Sequence, residues 1–168
     1  MMERVSRETL PECLEILRLS YEASAVAFGM TEHNCPYRGR TRLPLCELEA
    51  EWQRSPLMFV DRLDGRAMAF LSLERQDDAM NIRDLAVVPE FQGLGVGSAL
   101  LRFAHQQALA LGCSHLTLGM VDDNQALRRW YEARGFHTVR RIRYPLVSYA
   151  VGIMECRLQS DLQEVQKP

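Results

Sequence analysis

Residues 82–97, reading I-R-D-L-A-V-V-P-E-F-Q-G-L-G-V-G, restrict the fold of this chain more than any other stretch. Ile82, Leu85, Val87 and Val88 start it as a strand, and Pro89 ends that strand because proline cannot donate to a sheet ladder. Gly93, Gly95 and Gly97 follow. Behind them Val96, Ala99, Leu100, Phe103, Ala104 and Leu111 share one helical face. A strand, a glycine-rich loop and a helix N-terminus together present outward N–H groups and the positive end of a helix dipole, with room for an anion to come close. The stretch predicts a phosphate cradle.

The same strand carries a phase slip. Met80 and Ile82 put apolar side chains on even positions, whereas Leu85 and Val87 put them on odd ones. Strand side chains alternate strictly, so one extra residue is expected near Arg83-Asp84, which is what a β-bulge is. A bulge there would pry the strand from its neighbour and free backbone groups for an extended ligand. The plain alternative is that Asp84 faces solvent near the strand end.

The rest of the chain reads in order as βααβββαβαββ. Residues 2–7 suggest an edge strand, and Thr9 with Glu12 a capping box. Leu10, Cys13, Leu14, Leu17 and Tyr21 trace a helical face that Gly29 stops. Residues 30–43 are polar and irregular and read as a long loop, either functional, disordered or simply a connection between two helices. Pro44 starts a helix with Leu45, Leu48 and Trp52 on its stripe, ended by Ser55-Pro56. Strands at 57–63 and 66–75 flank an Asp64-Gly65 hairpin turn. A strand at 115–120, a helix capped by Asn124 and closed by Gly135, and strands at 137–144 and 148–158 complete the pattern, with 159–168 as a frayed tail. The expected fold is one α/β domain over 1–168: a mostly antiparallel mixed sheet flanked by helices, its bulged fourth strand beside the phosphate-binding loop.

Composition excludes several classes. A net charge of −2 tells against bulk binding of nucleic acid or anionic membrane. Arg128, Arg129, Arg134, Arg140, Arg141 and Arg143 crowd one stretch with only Glu132 opposing them, either as a solvated face or as help for an anionic ligand. Five cysteines lack C-x-x-C spacing, and His33 with Cys35 makes only two candidate ligands, so no metal site is expected. Cys113 and Cys156 read as small buried hydrophobes. An odd, unpatterned cysteine count, with no signal core and no membrane-length apolar run, points to the cytoplasm.

Two motifs resemble one known family. Gln92-Gly93-Leu94-Gly95-Val96-Gly97 is similar to the Q/R-x-x-G-x-G/A signature of the GNAT superfamily of acyl-CoA-dependent N-acetyltransferases. Asn124, Tyr131, Gly135 and Phe136 resemble its N-x6-Y-x3-G-F pattern. The resemblance covers about residues 57–144. It implies acetyl-CoA as co-substrate and a small-molecule or peptide amine as acceptor, with a homodimer left open. It also implies that backbone groups of Leu85, Ala86 and Val87 bond the pantetheine arm and the acetyl carbonyl. Amides from Gly93 through Leu94, Gly95, Val96 and Gly97 to Ser98 would hold the pyrophosphate. Asn124 would contact pantetheine, and Tyr131 would donate to the departing thiolate. Leu127 replaces the small residue common at its position. The chain also lacks the glutamate near Gly119 that some members acting on peptide N-termini carry.

Acetyl transfer needs a neutral amine, a stabilised oxyanion and a protonated leaving thiolate. A lysine-like amine, with pKa about 10.4, is neutral at pH 7 in fewer than roughly one molecule in a thousand, a gap of ~4–5 kcal/mol. Asp84 is the nearest acidic candidate for base or proton relay, with Glu74, Glu32 and Asp122 as rivals. The N–H of Val87 is the candidate oxyanion donor. Tyr131 also fits a structural role on the stripe of Leu127 and Trp130. For the acceptor, Glu32 would attract a cationic amine, His33 would relay its proton and Tyr37 would contact its carbon skeleton, with 144–149 as the opposite wall. Two other readings compete. One is a dinucleotide-binding oxidoreductase, opposed by Ser98 where its fingerprint needs glycine. The other is a non-catalytic acyl-CoA-binding module on the same fold.

Overall fold

Eleven regular elements follow the expected order: β1 (Met2–Arg4), α1 (Leu10–Ala27), α2 (Leu45–Arg54), β2 (Met58–Leu63), β3 (Arg66–Gln76), β4 (Ala79–Val87), α3 (Val96–Ala110), β5 (His115–Val121), α4 (Gln125–Glu132), β6 (His137–Arg143) and β7 (Ala150–Arg157). The computed structural model describes residues 1–31, 33–34, 39–55, 57–145 and 147–158. The tail at 159–168 lies outside them.

The strands form one sheet in the order β1-β2-β3-β4-β5-β7-β6. All neighbours pair antiparallel except β4 and β5, which run parallel and are therefore joined by the α3 crossover. Asp64 and Gly65 both take positive φ, 49° and 80°, as the two-residue turn between β2 and β3 requires. The last strand, β7, slides between β5 and β6.

The core sits on both faces of the sheet. Six consecutive β3 residues, from Met68 to Leu73, are buried because α1 covers one face and α3 the other. Phe70, Leu71, Leu73 and Met80 meet Leu10 and Leu17 of α1 and Leu100 and Ala104 of α3 within one apolar cluster. Each such side chain contributes about 1.5–3 kcal/mol on burial.

Three local expectations change. The box at the start of α1 is formed by Ser6 and Thr9: the Ser6 N–H donates to Thr9 Oγ1 at 2.9 Å, so Thr9 has no side-chain bond to give the helix. A 3-10 turn at Arg7–Thr9 shifts the start and puts Glu12 one turn too far in. Leu45 is 40% exposed, leaving Leu48 and Trp52 to carry the α2 stripe. Cys113 is buried as expected, whereas Cys156 is only partly covered.

Candidate active site

The strand, glycine-rich loop and helix of the expected cradle form in that order. Gly95 is the N-cap of α3 with φ 85°, a left-handed conformation that side chains strain to adopt, and Gly93 has φ 75°. A Cβ at either position would meet open space, so each faces the cleft rather than the protein. No side chain caps α3, and its first-turn N–H groups stay turned toward that space. Leu94 turns its side chain to solvent, Val96 opens α3, and Gly97 lies against Trp130. Gln92 spends its side chain locally, donating Nε2–H to the Val87 carbonyl at 2.9 Å.

The bulge is present at the predicted place. Ser72 pairs with Asp84 and Leu73 with Ile82, so Arg83 is the extra residue. On the other side β4 pairs with β5 only from Ala79–His115 to Ile82–Leu118. From Arg83 onward the two strands part, and Leu85 and Val87 line the gap while Ala86 is buried behind them. The bulge distorts the β3 side and the opening lies on the β5 side, at the same residue.

Two connected cavities fill the opening. One, of about 670 Å³, runs over the cradle past Leu85, Val87, Ser98, Trp130 and Arg134. The other, of about 270 Å³, lies between α1, β5 and the start of β7, lined by Tyr21, Phe28, Met120, Tyr149 and Val151. Asn124, Leu127 and Tyr131 line both. Asn124 Oδ1 accepts the Leu127 N–H at 3.0 Å and so caps α4. That cap turns the helix so that Tyr131, two turns on, faces the junction of the cavities. Tyr131 is 6% exposed, held edge-on by Trp130 at 4.9 Å and Phe136 at 5.4 Å. Burial pushes its hydroxyl up to about 12.

Asp84 is not turned to solvent. It is 1% exposed, and both its oxygens are engaged. Arg40 donates Nε–H to Oδ1 at 2.8 Å and a terminal N–H to Oδ2 at 2.7 Å, and the Tyr21 hydroxyl donates to Oδ1 at 3.1 Å. Arg40 also binds Glu51 at 2.9 Å, and Arg83 reaches Glu51 at 3.2 Å and Glu74 at 3.3 Å. Burial raises the Asp84 carboxyl above its ordinary value, and the Arg40 guanidinium opposes that shift. Asp84 is outside the cavity lining; Tyr21, bonded to it, is inside.

The other candidates separate. Glu74 is committed to Arg83, and Asp122 is held by Arg128 and Arg141 at the entry to α4; neither lines a cavity. His33 is exposed in the turn after α1, away from the lining. Glu32 and Tyr37 lie outside the described residues. Of the arginine run, Arg134 alone lines the cleft: it lies over the Trp130 ring at 3.9 Å and donates to Ser98 Oγ at 2.9 Å. Tyr21 and Arg40 were hidden in the sequence, one as a member of an apolar stripe and one as a polar loop residue. Among the described residues no three histidine, cysteine or acidic side chains gather as metal ligands, and no helix is long and apolar enough to cross a membrane.

Residues 25–136, from the end of α1 through the cradle to Phe136, match the model of the acetyltransferase (GNAT) family. The chain belongs to that family. This GNAT member is 37% identical over 54 residues to the thialysine N-epsilon-acetyltransferase of Bos taurus, a match covering 32% of this chain and 32% of that protein. Its fold is shared with the ribosomal-protein-S18-alanine N-acetyltransferase of Escherichia coli, at 18% identity, a TM-score of 0.74 and 99% of both chains. It is shared likewise with the PaiA N-acetyltransferase of Thermoplasma acidophilum in complex with coenzyme A, at 21% identity, a TM-score of 0.77, and 94% of this chain and 98% of that one. Identities this low speak to the GNAT fold.

Proposed function

We propose that this GNAT member transfers the acetyl group of acetyl-CoA to a primary amine by direct attack in the cleft between β4 and β5. The observation that carries the reading is Tyr131 at the junction of the two cavities, with an uncapped helix N-terminus at the far end of the larger one.

The groups fit the ligand in order. Amides from Gly93 to Ser98 hold the pyrophosphate, aided by the α3 dipole. Arg134, braced by Trp130 and Ser98, adds a cation at the same rim. The extended pantetheine arm lies along Leu85, Ala86 and Val87, where β4 has left β5, and the side-chain amide of Asn124 contacts it from α4. The Val87 N–H is the donor we assign to the oxyanion, in a site where a single such bond is worth ~2.7–4 kcal/mol.

Tyr131 serves the leaving thiolate. A hydroxyl near 12 facing a thiol near ~8.5 makes complete proton transfer uphill by about 5 kcal/mol. Its work is therefore a hydrogen bond that strengthens as negative charge grows on sulfur, with the proton following once the amide has formed. The acceptor enters the smaller cavity, whose apolar walls, Phe28, Met120 and Val151, suit a carbon skeleton beside the amine. We assign selection of the acceptor to the segment 30–43, and replacing Glu32 and His33 by alanine is expected to raise KM for the amine alone.

The test is acetyl-CoA consumption across small amines, amino acids, aminoglycoside-type amines and peptides, with the product weighed by mass spectrometry. Tight acetyl-CoA binding without turnover of any class would favour a non-catalytic binding module.

A further inference from the structure

Tyr21 lines the acceptor cavity and also ends on a buried acid. Its hydroxyl donates to Asp84 Oδ1, and Asp84 sits opposite Ser72 at the bulge, on the stretch of β4 that has parted from β5. We infer that Tyr21 and Asp84 form the proton exit for the acceptor amine, the hydroxyl taking the ammonium proton as its own passes to the carboxylate. The inference rests on the acetyl-transfer reading and supplies the base that the cavity lining does not itself contain among the described residues.

The atoms balance. The ammonium N–H bond breaks and a new O–H bond forms at Tyr21. The original Tyr21 proton moves to Asp84 Oδ1, leaving a neutral amine whose lone pair attacks the acetyl carbon. The nitrogen loses a second proton as the amide forms, and one proton ends on the departing sulfur. Asp84 returns its proton through Tyr21 to water after the products leave. No oxidant, metal or further reactant is needed.

The surroundings suit the role. Arg40 from the turn at Gly39–Arg42 keeps the carboxylate charged between turnovers, and Glu51 of α2 shares that guanidinium, weakening its grip on Asp84. Ser72 of β3 adds a buried hydroxyl with no partner among the described residues. Arg83, next to Asp84 on β4, is occupied by Glu51 and Glu74. Burial raises the acid above its usual range, which brings it nearer to accepting a proton. Tyr21 itself is pushed well above the ordinary phenol value, chiefly by burial and then by the Asp84 charge, so it passes protons without resting as a phenolate.

Tyr21→Phe removes the relay while Arg40 still satisfies both Asp84 oxygens, so the fold should persist. With an amine identified by the turnover screen, kcat/KM is measured against pH for wild type and variant, alongside the melting temperature and the KM for acetyl-CoA. The expected result is a loss of about 10- to 100-fold at neutral pH. That loss should shrink steadily as the pH approaches the amine's own pKa, with acetyl-CoA KM and melting unchanged. Asp84→Asn, which keeps an acceptor for Tyr21, should show the same pH-dependent deficit and decides the matter if Tyr21→Phe unfolds. A wild-type profile in either folded variant under conditions where chemistry limits, or a deficit equal at every pH, overturns the relay. Wild-type protein that binds acetyl-CoA but acetylates no amine overturns instead the reading on which it rests.

Discussion

On the cradle side of the cleft the groups we propose to work are mostly backbone amides drawn from one run, residues 85–98, whereas on the α1 side they are side chains brought together from separate elements. The cradle depends on local conformation: two left-handed glycines, an uncapped helix, a strand that has lost its neighbour. The α1 side depends on long-range pairing, with Tyr21, Arg40, Glu51 and Asp84 meeting from α1, a 3-10 turn, α2 and β4. A cofactor common to many enzymes asks for the first kind of site. A private acceptor asks for the second, since side chains can be exchanged one at a time without disturbing the loop that holds the phosphates.

The largest expected effect falls on the paired side. Arg40→Ala leaves a buried carboxylate without its counter-ion, which should cost about 3–5 kcal/mol in chemical denaturation. Burial already holds Asp84 above its usual pKa, and loss of the guanidinium lifts it further. The folded variant therefore favours the protonated acid, so its deficit should be small at low pH, grow as pH rises from the wild-type acid's pKa toward the variant's higher one, and level off above it. A deficit flat in pH would mean that Arg40 matters for its other contacts.

Gly95→Asp probes the cradle. The substitution strains a left-handed N-cap by ~1–2 kcal/mol and adds negative charge where an anion is to sit. Acetyl-CoA affinity by calorimetry should fall on the order of 100-fold, with melting changed far less than in Arg40→Ala. Comparable unfolding in both variants would break the contrast between the two sides.

Tyr131→Phe should lower kcat by about 10-fold or more while acetyl-CoA affinity moves little. Because burial lifts the hydroxyl to about 12, the wild-type kcat should show no Tyr131 limb through pH 10. A decline centred near pH 10 would show a solvated tyrosine instead. The smallest effect belongs to Arg134→Ala, about 5-fold in acetyl-CoA affinity and fading in high salt, since the guanidinium is exposed and screened. An undiminished affinity at low salt would confine phosphate binding to the backbone.

The same contrast explains what could be read from the sequence. Pro89, the glycines at 93, 95 and 97, and the phase slip at Arg83 are local signals, and the cradle and bulge follow from them. The Asp64-Gly65 turn and the order of elements were legible for the same reason. Tyr21 reads as one more member of an apolar stripe, because nothing near it in the chain announces a carboxylate 63 positions away. Arg40 is one of several arginines in an irregular segment, and only the folded path of that segment selects it. The insertion of β7 between β5 and β6 has no local sign either; strand order within a sheet is decided by which edges remain open. Asp84 was placed correctly at the bulge, yet its burial beneath α1 depends on partners the alternation pattern does not show.

The brevity of the β4–β5 seam has a mechanical meaning. Four residue pairs, from Ala79–His115 to Ile82–Leu118, are all the ladder that joins the half-sheet β1–β4 to the half-sheet β5-β7-β6. Before them the Ser114 N–H donates to the Asp78 carbonyl at 2.7 Å, and past Ile82 no further β4–β5 pair forms among the described residues, so a wedge opens between the halves. An extended ligand lying there would act as a temporary strand and tie the halves together. The energy of gripping it would then appear partly as stiffness of the whole sheet, and release of product would be an unzipping as much as a departure.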